Sequence, residues 1–225
     1  MEKKIPYINL IKQSSEDRIE VFKAFKKIFA TGNFILGDEV NKFEKKICNF
    51  LKIKNCVALN SGTDAIVLGL FLLGVRRGDE VITPPNSFIA STAAIVHLGA
   101  IPVFADVNED QNIDPNYIEK KITKKTKAIM PVHLSGRSCD MNKIKKISKN
   151  YNIPILEDAA QSIGTKYRNK FVGTFGDIGC FSAHPLKNLN AIGDAGYLIT
   201  NNLKYAKLAK RLRNHGIEKR NNILN

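Results

Sequence analysis

From Cys56 to Glu157 the chain alternates short apolar runs with helical stretches, and this alternation restricts the fold more than any other feature. The strand-like runs are Cys56-Val57-Ala58-Leu59, Glu80-Val81-Ile82-Thr83, Ile101-Pro102-Val103-Phe104, residues 128–132 and residues 153–157. Helical patterns fill the gaps at 64–73, 89–98, 116–124 and 141–150. Apolar strands joined by helices predict right-handed βαβ units, hence an α/β fold with a mostly parallel sheet sandwiched by helices. After Asp158 the spacing tightens, with strands expected at 178–182 and 196–200 before a basic helix. Upstream, residues 15–30 read as an amphipathic helix that Ser15 can cap, with Ile19, Phe22, Phe25 and Phe29 on one face. A break from Gly32 to Gly37 precedes a second helix from Glu39, carrying Val40, Phe43, Ile47 and Leu51 at helical spacing. The expected organisation is an N-terminal helical arm over 1–37 and one α/β domain over 38–225.

Composition removes several classes. At 225 residues and 44% hydrophobic content the chain can bury a sizeable core, which excludes a disordered tail or a disulfide-stapled miniprotein. Cys48, Cys56, Cys139 and Cys180 are scattered without a Cys-x-x-Cys pair, so no disulfide framework or zinc site is suggested. The longest clean apolar run, Ala65 to Val75, is about half of the roughly 20 residues a membrane helix needs. No apolar signal-peptide core follows the first lysines, and the expectation is a soluble, cytoplasmic protein with no membrane partner. Lys+Arg number 35 against 21 Asp+Glu, a net charge of +14. In the basic run from Lys204 to Arg213, Tyr205, Leu208, Ala209 and Leu212 make an apolar stripe that leaves Lys204, Lys207, Lys210 and Arg211 on the solvated side. No aromatic residues alternate with these lysines as a single-strand-binding surface requires, so the charge is read as a solvated face and no nucleic-acid partner is expected.

In an open α/β sheet, ligands gather where strands end and helices begin. The first strand ends in Leu59-Asn60-Ser61-Gly62-Thr63-Asp64 and opens a helix. Free amides at a helix N-terminus beside small hydroxyl residues and a glycine suit a phosphate, while a plain capped βα turn would use Ser61, Thr63 or Asp64 as the cap. The strand before Ala159 ends in Glu157-Asp158, two carboxylates on opposite faces. Asp158 could pair with a cationic ring nitrogen and stay ionised, or cap the segment starting at Ala159. Lys187 sits in the apolar, proline-bent Cys180-Phe181-Ser182-Ala183-His184-Pro185-Leu186-Lys187-Asn188, unlike the lysines of the charged helical faces. A desolvated lysine offers a neutral amine for Schiff-base chemistry, and Ser182 is placed to help hold a phosphate. A phosphate cradle, a carboxylate for a ring nitrogen and a buried lysine are the parts that pyridoxal phosphate needs.

These motifs resemble the sugar aminotransferases of the DegT/DnrJ/EryC1/StrS family, fold-type-I enzymes dependent on pyridoxal 5'-phosphate. The resemblance is carried by Ser61-Gly62-Thr63-Asp64-Ala65-Ile66, Pro85-Asn86-Ser87-Phe88-Ile89-Ala90, Pro131-Val132-His133-Leu134, Glu157-Asp158-Ala159-Ala160-Gln161-Ser162 and Phe181-Ser182-Ala183-His184-Pro185-Leu186-Lys187-Asn188. Gly193-Asp194-Ala195-Gly196 and Leu212-Arg213-Asn214-His215-Gly216 extend it in family order. The resemblance implies the large domain of the fold-type-I architecture. It implies that Lys187 forms the Schiff base and moves the proton between substrate and cofactor carbons. Asp158 would pair with the pyridinium nitrogen, Gln161 would contact the side of the phenolic oxygen, and Phe88 would stack on the ring. Gly62, Thr63 and Ser182 would bind the phosphate. The implied reaction moves an amino group from an amino acid, usually glutamate, to a keto group of a nucleotide-linked sugar. Lys187 also distinguishes the chain from related dehydratases with histidine at that position.

The resemblance implies, further, a homodimer whose active sites lie at the subunit interface. Family members continue past the position of Asn225 with an Asn-x-Arg segment that reaches the neighbouring cofactor phosphate, and then a small C-terminal domain. Neither is in these residues, and Ala195 stands where the family pattern has glycine after Asp194. Two expectations follow: a sugar aminotransferase whose catalytic large domain is this chain, or a truncated, catalytically inactive remnant that binds cofactor or partners a homologous subunit.

Overall fold

The computed structural model describes residues 5–6, 8–219 and 222–223. The chain falls into two units, one up to Phe43 and one from Glu44 onward. The first contains α1 (Leu10–Thr31) and the beginning of α2 (Asp38–Leu51). α1 starts a turn earlier than its spacing predicts, because Asn9 supplies the cap by accepting the Lys12 amide at 3.0 Å. Ser15 instead lies inside the helix and donates back to the Lys12 carbonyl at 2.7 Å. Gly32, with φ +65°, ends α1 in the left-handed region that glycine adopts without strain.

The second unit carries the sheet. In chain order it comprises β1 (Asn55–Leu59), α3 (Gly62–Leu72), β2 (Glu80–Thr83), α4 (Ile89–His97), β3 (Ile101–Phe104), α5 (Pro115–Lys121), β4 (Thr126–Ile129), α6 (Met141–Tyr151) and β5 (Leu156–Asp158). A short hairpin of β6 (Lys166–Tyr167) and β7 (Lys170–Phe171) follows. Then come β8 (Ile178–Ser182), β9 (Gly196–Thr200), α7 (Leu203–Leu212) and the small pair β10 (Ile217–Lys219) and β11 (Asn222–Ile223). β3, β2 and β4 pair in parallel. Parallel bridges Ile129↔Ile155 and Val132↔Asp158 carry the sheet on to β5, which pairs in parallel with β8. β9 then runs antiparallel to both β8 and β1. The sheet is therefore mostly parallel, with β9 reversed.

Residues next to each other on a strand face opposite sides. Val81, Ala128 and Leu156 belong to one buried cluster with Ile66 and Leu70 of α3, Ile95 of α4 and Ala209 of α7. Their neighbours Ile82, Ile129 and Ile155 belong to a second cluster with Ile118 of α5 and with Met141, Ile144 and Ile147 of α6. Both faces are thus covered, as continuous apolar strands require. α7 buries Ala206 and Ala209 and half-buries Tyr205, Leu208 and Leu212, while Lys204, Lys207 and Lys210 are exposed and Arg211 is half-buried. No described helix is long and apolar enough to cross a membrane.

Two strands are shorter than their apolar runs. β4 stops at Ile129, short of Pro131, which has no amide to donate, although the Met130 amide still reaches the Ile82 carbonyl at 2.7 Å and the Pro131 carbonyl accepts the Asp158 amide at 2.9 Å. Pro154 likewise delays β5 to Leu156, although its carbonyl accepts the Ile129 amide at 3.0 Å. The carboxyl ends of β1, β2, β5 and β8 meet at one end of the sheet, where the candidate site lies.

Candidate active site

The β1–α3 turn has Ser61 as its cap: the side-chain oxygen accepts the Asp64 amide at 3.0 Å. The amides of Gly62 and Thr63 have no intrahelical acceptor, since they lead the helix, and both residues line a cavity of about 360 Å³. Ser182, at the end of β8, faces them across the turn. A Cβ on Gly62 would lie 2.8 Å from the Ser182 Cβ, so glycine is what lets the helix terminus approach this hydroxyl residue. Gly196, the first residue of β9, supports the turn from below, and a Cβ there would land on the Ser61 carbonyl and the Gly62 amide. Gly196→Ala should push the start of α3 outward. An overpacking cost of about 1–3 kcal/mol predicts a Tm lower by several degrees in a thermal melt, with weaker pyridoxal phosphate binding by titration.

Asp158, the last residue of β5, is 3% exposed and opens onto the same cavity. Its two oxygens are held separately. Oδ1 accepts the Ala160 amide at 3.1 Å, and Oδ2 accepts the hydroxyl of Ser91 on α4 at 2.7 Å. The local turn bond and the cavity position foreseen for this carboxylate coexist. Burial pushes its pKa above the ordinary value, opposed by the Ser91 and Ala160 hydrogen bonds and by the charge of Lys187. A cationic ring nitrogen in the cavity would add a further opposite charge beside this buried carboxylate.

Glu157 points to the other face. Its carboxylate accepts the amides of Gly173, Phe175 and Gly176 at 2.7, 2.7 and 2.6 Å, and lies 2.9 Å from Nε2 of His133. Nδ1 of His133 accepts the Cys139 amide at 3.1 Å, which places a proton on Nε2 and makes that nitrogen the donor to Glu157. This buried pair anchors the β5 end from behind.

Lys187 lies on the loop after β8 and is half-buried, less enclosed than the apolar sequence around it suggests. Its amide donates to the His184 carbonyl at 2.8 Å, and the Ala191 amide returns to the Ala183 carbonyl at 2.8 Å, so the loop is a closed turn that presents Lys187 to the cavity. Gln161 spends its side-chain carbonyl oxygen on the Ser135 amide at 2.9 Å, leaving its NH2 group as the free donor. Phe88, just before α4, is 68% exposed and offers a bare ring to the cavity.

Gly62, Thr63, Phe88, Asp158, Gln161, Ser182 and Lys187, the residues singled out in the sequence, all line this one cavity. Ser91 and Gly196 carry no such signal in the sequence. Ser91 becomes visible only when α4 is laid beside β5, and Gly196 only when β9 passes under the α3 turn.

The residues present fit pyridoxal phosphate. Leading amides and a glycine-opened cradle suit its phosphate, a buried carboxylate suits its ring nitrogen, an amide donor suits its phenolic oxygen, and an amine suits its aldehyde. Known proteins resemble the chain along its length, among them one with a bound form of this cofactor. A dTDP-3-amino-3,6-dideoxy-alpha-D-galactopyranose transaminase from Aneurinibacillus thermoaerophilus is 43% identical over 218 residues, covering 96% of this chain and 60% of its own length. The crystal structure of S. venezuelae DesV in complex with a ketimine intermediate superposes with a TM-score of 0.95 at 35% identity, covering 98% of this chain and 60% of that one. That of ntda from Bacillus subtilis with bound cofactor PMP superposes at 0.93 with 36% identity, covering 100% of this chain and 52% of that one. The chain thus spans little more than half the length of these proteins. The family profile matches residues 15–224 in order, and the chain belongs to the DegT/DnrJ/EryC1/StrS aminotransferase family.

Proposed function

We propose that this chain uses pyridoxal phosphate to move an amino group from an amino acid, glutamate by family habit, to a keto carbon of a nucleotide-linked sugar. The observation that carries the reading is the meeting of Lys187, Asp158 and the α3 N-terminus on one cavity. Bound pyridoxal phosphate supplies an electron sink and a temporary carrier for the amino group. The protein supplies the rest. The Gly62 and Thr63 amides with Ser182 hold the phosphate, and the positive end of α3 favours its charge. Asp158 holds the proton on the ring nitrogen. Gln161 donates to the phenolic oxygen, and Phe88 covers one ring face. The Lys187 amine would hold the aldehyde end of the cofactor and, when the substrate amine takes that place, would carry the proton between substrate carbon and cofactor carbon. The relative named for a 3-amino sugar supports carbon 3 as the position aminated. Leu186 is 54% exposed beside the cavity and Ile192, on the same loop, is 74% exposed, an apolar rim that supports closure by a second copy of the chain.

The test is spectroscopic. The purified chain with added pyridoxal phosphate should turn yellow, and borohydride should bleach the colour while fixing the cofactor's mass to the Lys187 peptide. Lys187→Ala should lose both signals and slow amino transfer by about 10²–10⁴-fold, the usual share of a positioned acid–base group. A wild-type chain that never turns yellow refutes the reading. A yellow chain that does not pale with glutamate would instead support a cofactor-binding subunit without transfer activity.

A further inference from the structure

Ser91 lines this cavity with a role outside the expected cofactor contacts. It is 2% exposed, in the first turn of α4, 67 residues from Asp158 in sequence. A serine inside a helix commonly turns its hydroxyl back to a carbonyl of the preceding turn. Here the hydroxyl leaves its own helix and donates to Oδ2 of Asp158 at 2.7 Å, a length suited to a charge-assisted bond. With Oδ1 fixed by the Ala160 amide, the two bonds set the rotation of the carboxylate plane. A carboxylate has about four lone-pair directions, so the pair leaves an unspent direction on a group that lines the cavity.

We infer that Ser91 is a positioning residue: its hydroxyl locks the Asp158 carboxylate so that its unspent lone pair meets the protonated ring nitrogen of the cofactor. This rests on the pyridoxal phosphate reading above. Ser91 acts through Asp158, so its removal should be felt at the ring nitrogen and at the carboxyl's own titration. The phosphate cradle and Lys187 do not depend on it. The titratable groups around Asp158 are Glu157 beside it in β5, His133 beyond β4, Cys180 on β8 and Lys187 on the loop after β8. All four are unchanged by substitution at Ser91.

The experiment compares wild type with Ser91→Ala, Ser91→Thr and Asp158→Asn in two measurements. In the cofactor-free chain, carbon-13 NMR follows the Asp158 carboxyl, with Asp158→Asn assigning the signal. Ser91→Ala should shift the titration upward by about one pH unit, and Ser91→Thr should restore it. In the second measurement, binding of pyridoxal phosphate is set against a carbocyclic analogue with C–H in place of the ring nitrogen. Ser91→Ala should weaken pyridoxal phosphate about tenfold and change the analogue less than twofold. Equal losses for both ligands, or an unmoved titration, would overturn the assignment. Failure of the wild type to bind either ligand would count against the cofactor reading, and the NMR titration would still decide whether Ser91 locks the Asp158 carboxylate.

Discussion

Replacing Asp158 with asparagine should make the cofactor-free chain more stable at neutral pH while weakening pyridoxal phosphate binding roughly a hundredfold. The two effects share one cause. Burial raises the Asp158 pKa above its ordinary 3.8, so the ionised form is held at a cost that the Ser91 and Ala160 bonds and nearby charges only partly offset. A carboxyl with a raised folded-state pKa contributes its full share of stability below its ordinary pKa and loses it as pH climbs through the raised value. Asparagine does not titrate. It can still accept from the Ala160 amide and donate to the Ser91 hydroxyl, so the variant keeps the geometry without the buried charge. Its advantage should therefore be absent in acid, grow as pH rises past the ordinary carboxyl value, and reach about 1–2 kcal/mol near neutrality. That is a Tm gain of a few degrees in melts of the cofactor-free chain at a series of pH values. Binding moves the other way, because a hydrogen bond to a charged partner is worth about 1.5–3 kcal/mol and the upper figure is about a hundredfold in affinity. Absorbance titration measures it. A cofactor-free variant no more stable at pH 7 than wild type would refute the cost of the buried charge, and an unchanged affinity would break the link between this carboxylate and the ring.

How much of this was legible from the residues depends on whether a feature is local. β2, β3, β8 and β9 begin and end as their apolar runs predict, since strand boundaries there coincide with turn residues. The reversed direction of β9 leaves no trace in its composition, because a buried strand reads the same in either orientation. The β6–β7 hairpin was equally silent. Its turn residues Arg168 and Asn169 both adopt positive φ, +46° and +64°, without a glycine to announce it. α5 stops at Lys121, short of the predicted Lys124, because Ile122 turns to extended backbone. In the candidate site, Lys187 and the carboxylate pair stood out as chemistry-bearing residues in unusual surroundings. Ser91 and Gly196 did not, since a serine and a glycine acquire meaning only from what a distant element brings beside them. In the sequence Glu157 is only the neighbour of Asp158, although its surroundings hold the end of β5.

Those surroundings make Glu157→Gln a strongly damaging substitution. Four donors converge on this fully buried carboxylate: the amides of Gly173, Phe175 and Gly176 and Nε2 of His133. Oε1 takes two of them and Oε2 the other two, so neither oxygen can become an NH2 group without facing a pair of N–H donors. Glutamine has the same shape, and the whole effect is therefore electrical. His133 cannot relieve it by switching tautomer, because its Nδ1 already accepts the Cys139 amide. Removing one member of a buried charged network costs about 3–5 kcal/mol, which predicts a Tm lower by roughly 10 °C or more at this chain length. Glutamate and aspartate are each adjacent to the other on β5, yet their substitutions should leave opposite signatures. Asp158→Asn gains stability and loses the ring contact, whereas Glu157→Gln loses stability first, with cofactor affinity following only as the strand end shifts. Thermal melts with and without pyridoxal phosphate separate the two. A Glu157→Gln chain that melts within about 2 °C of wild type would show that the four donors are satisfied by something other than this charge.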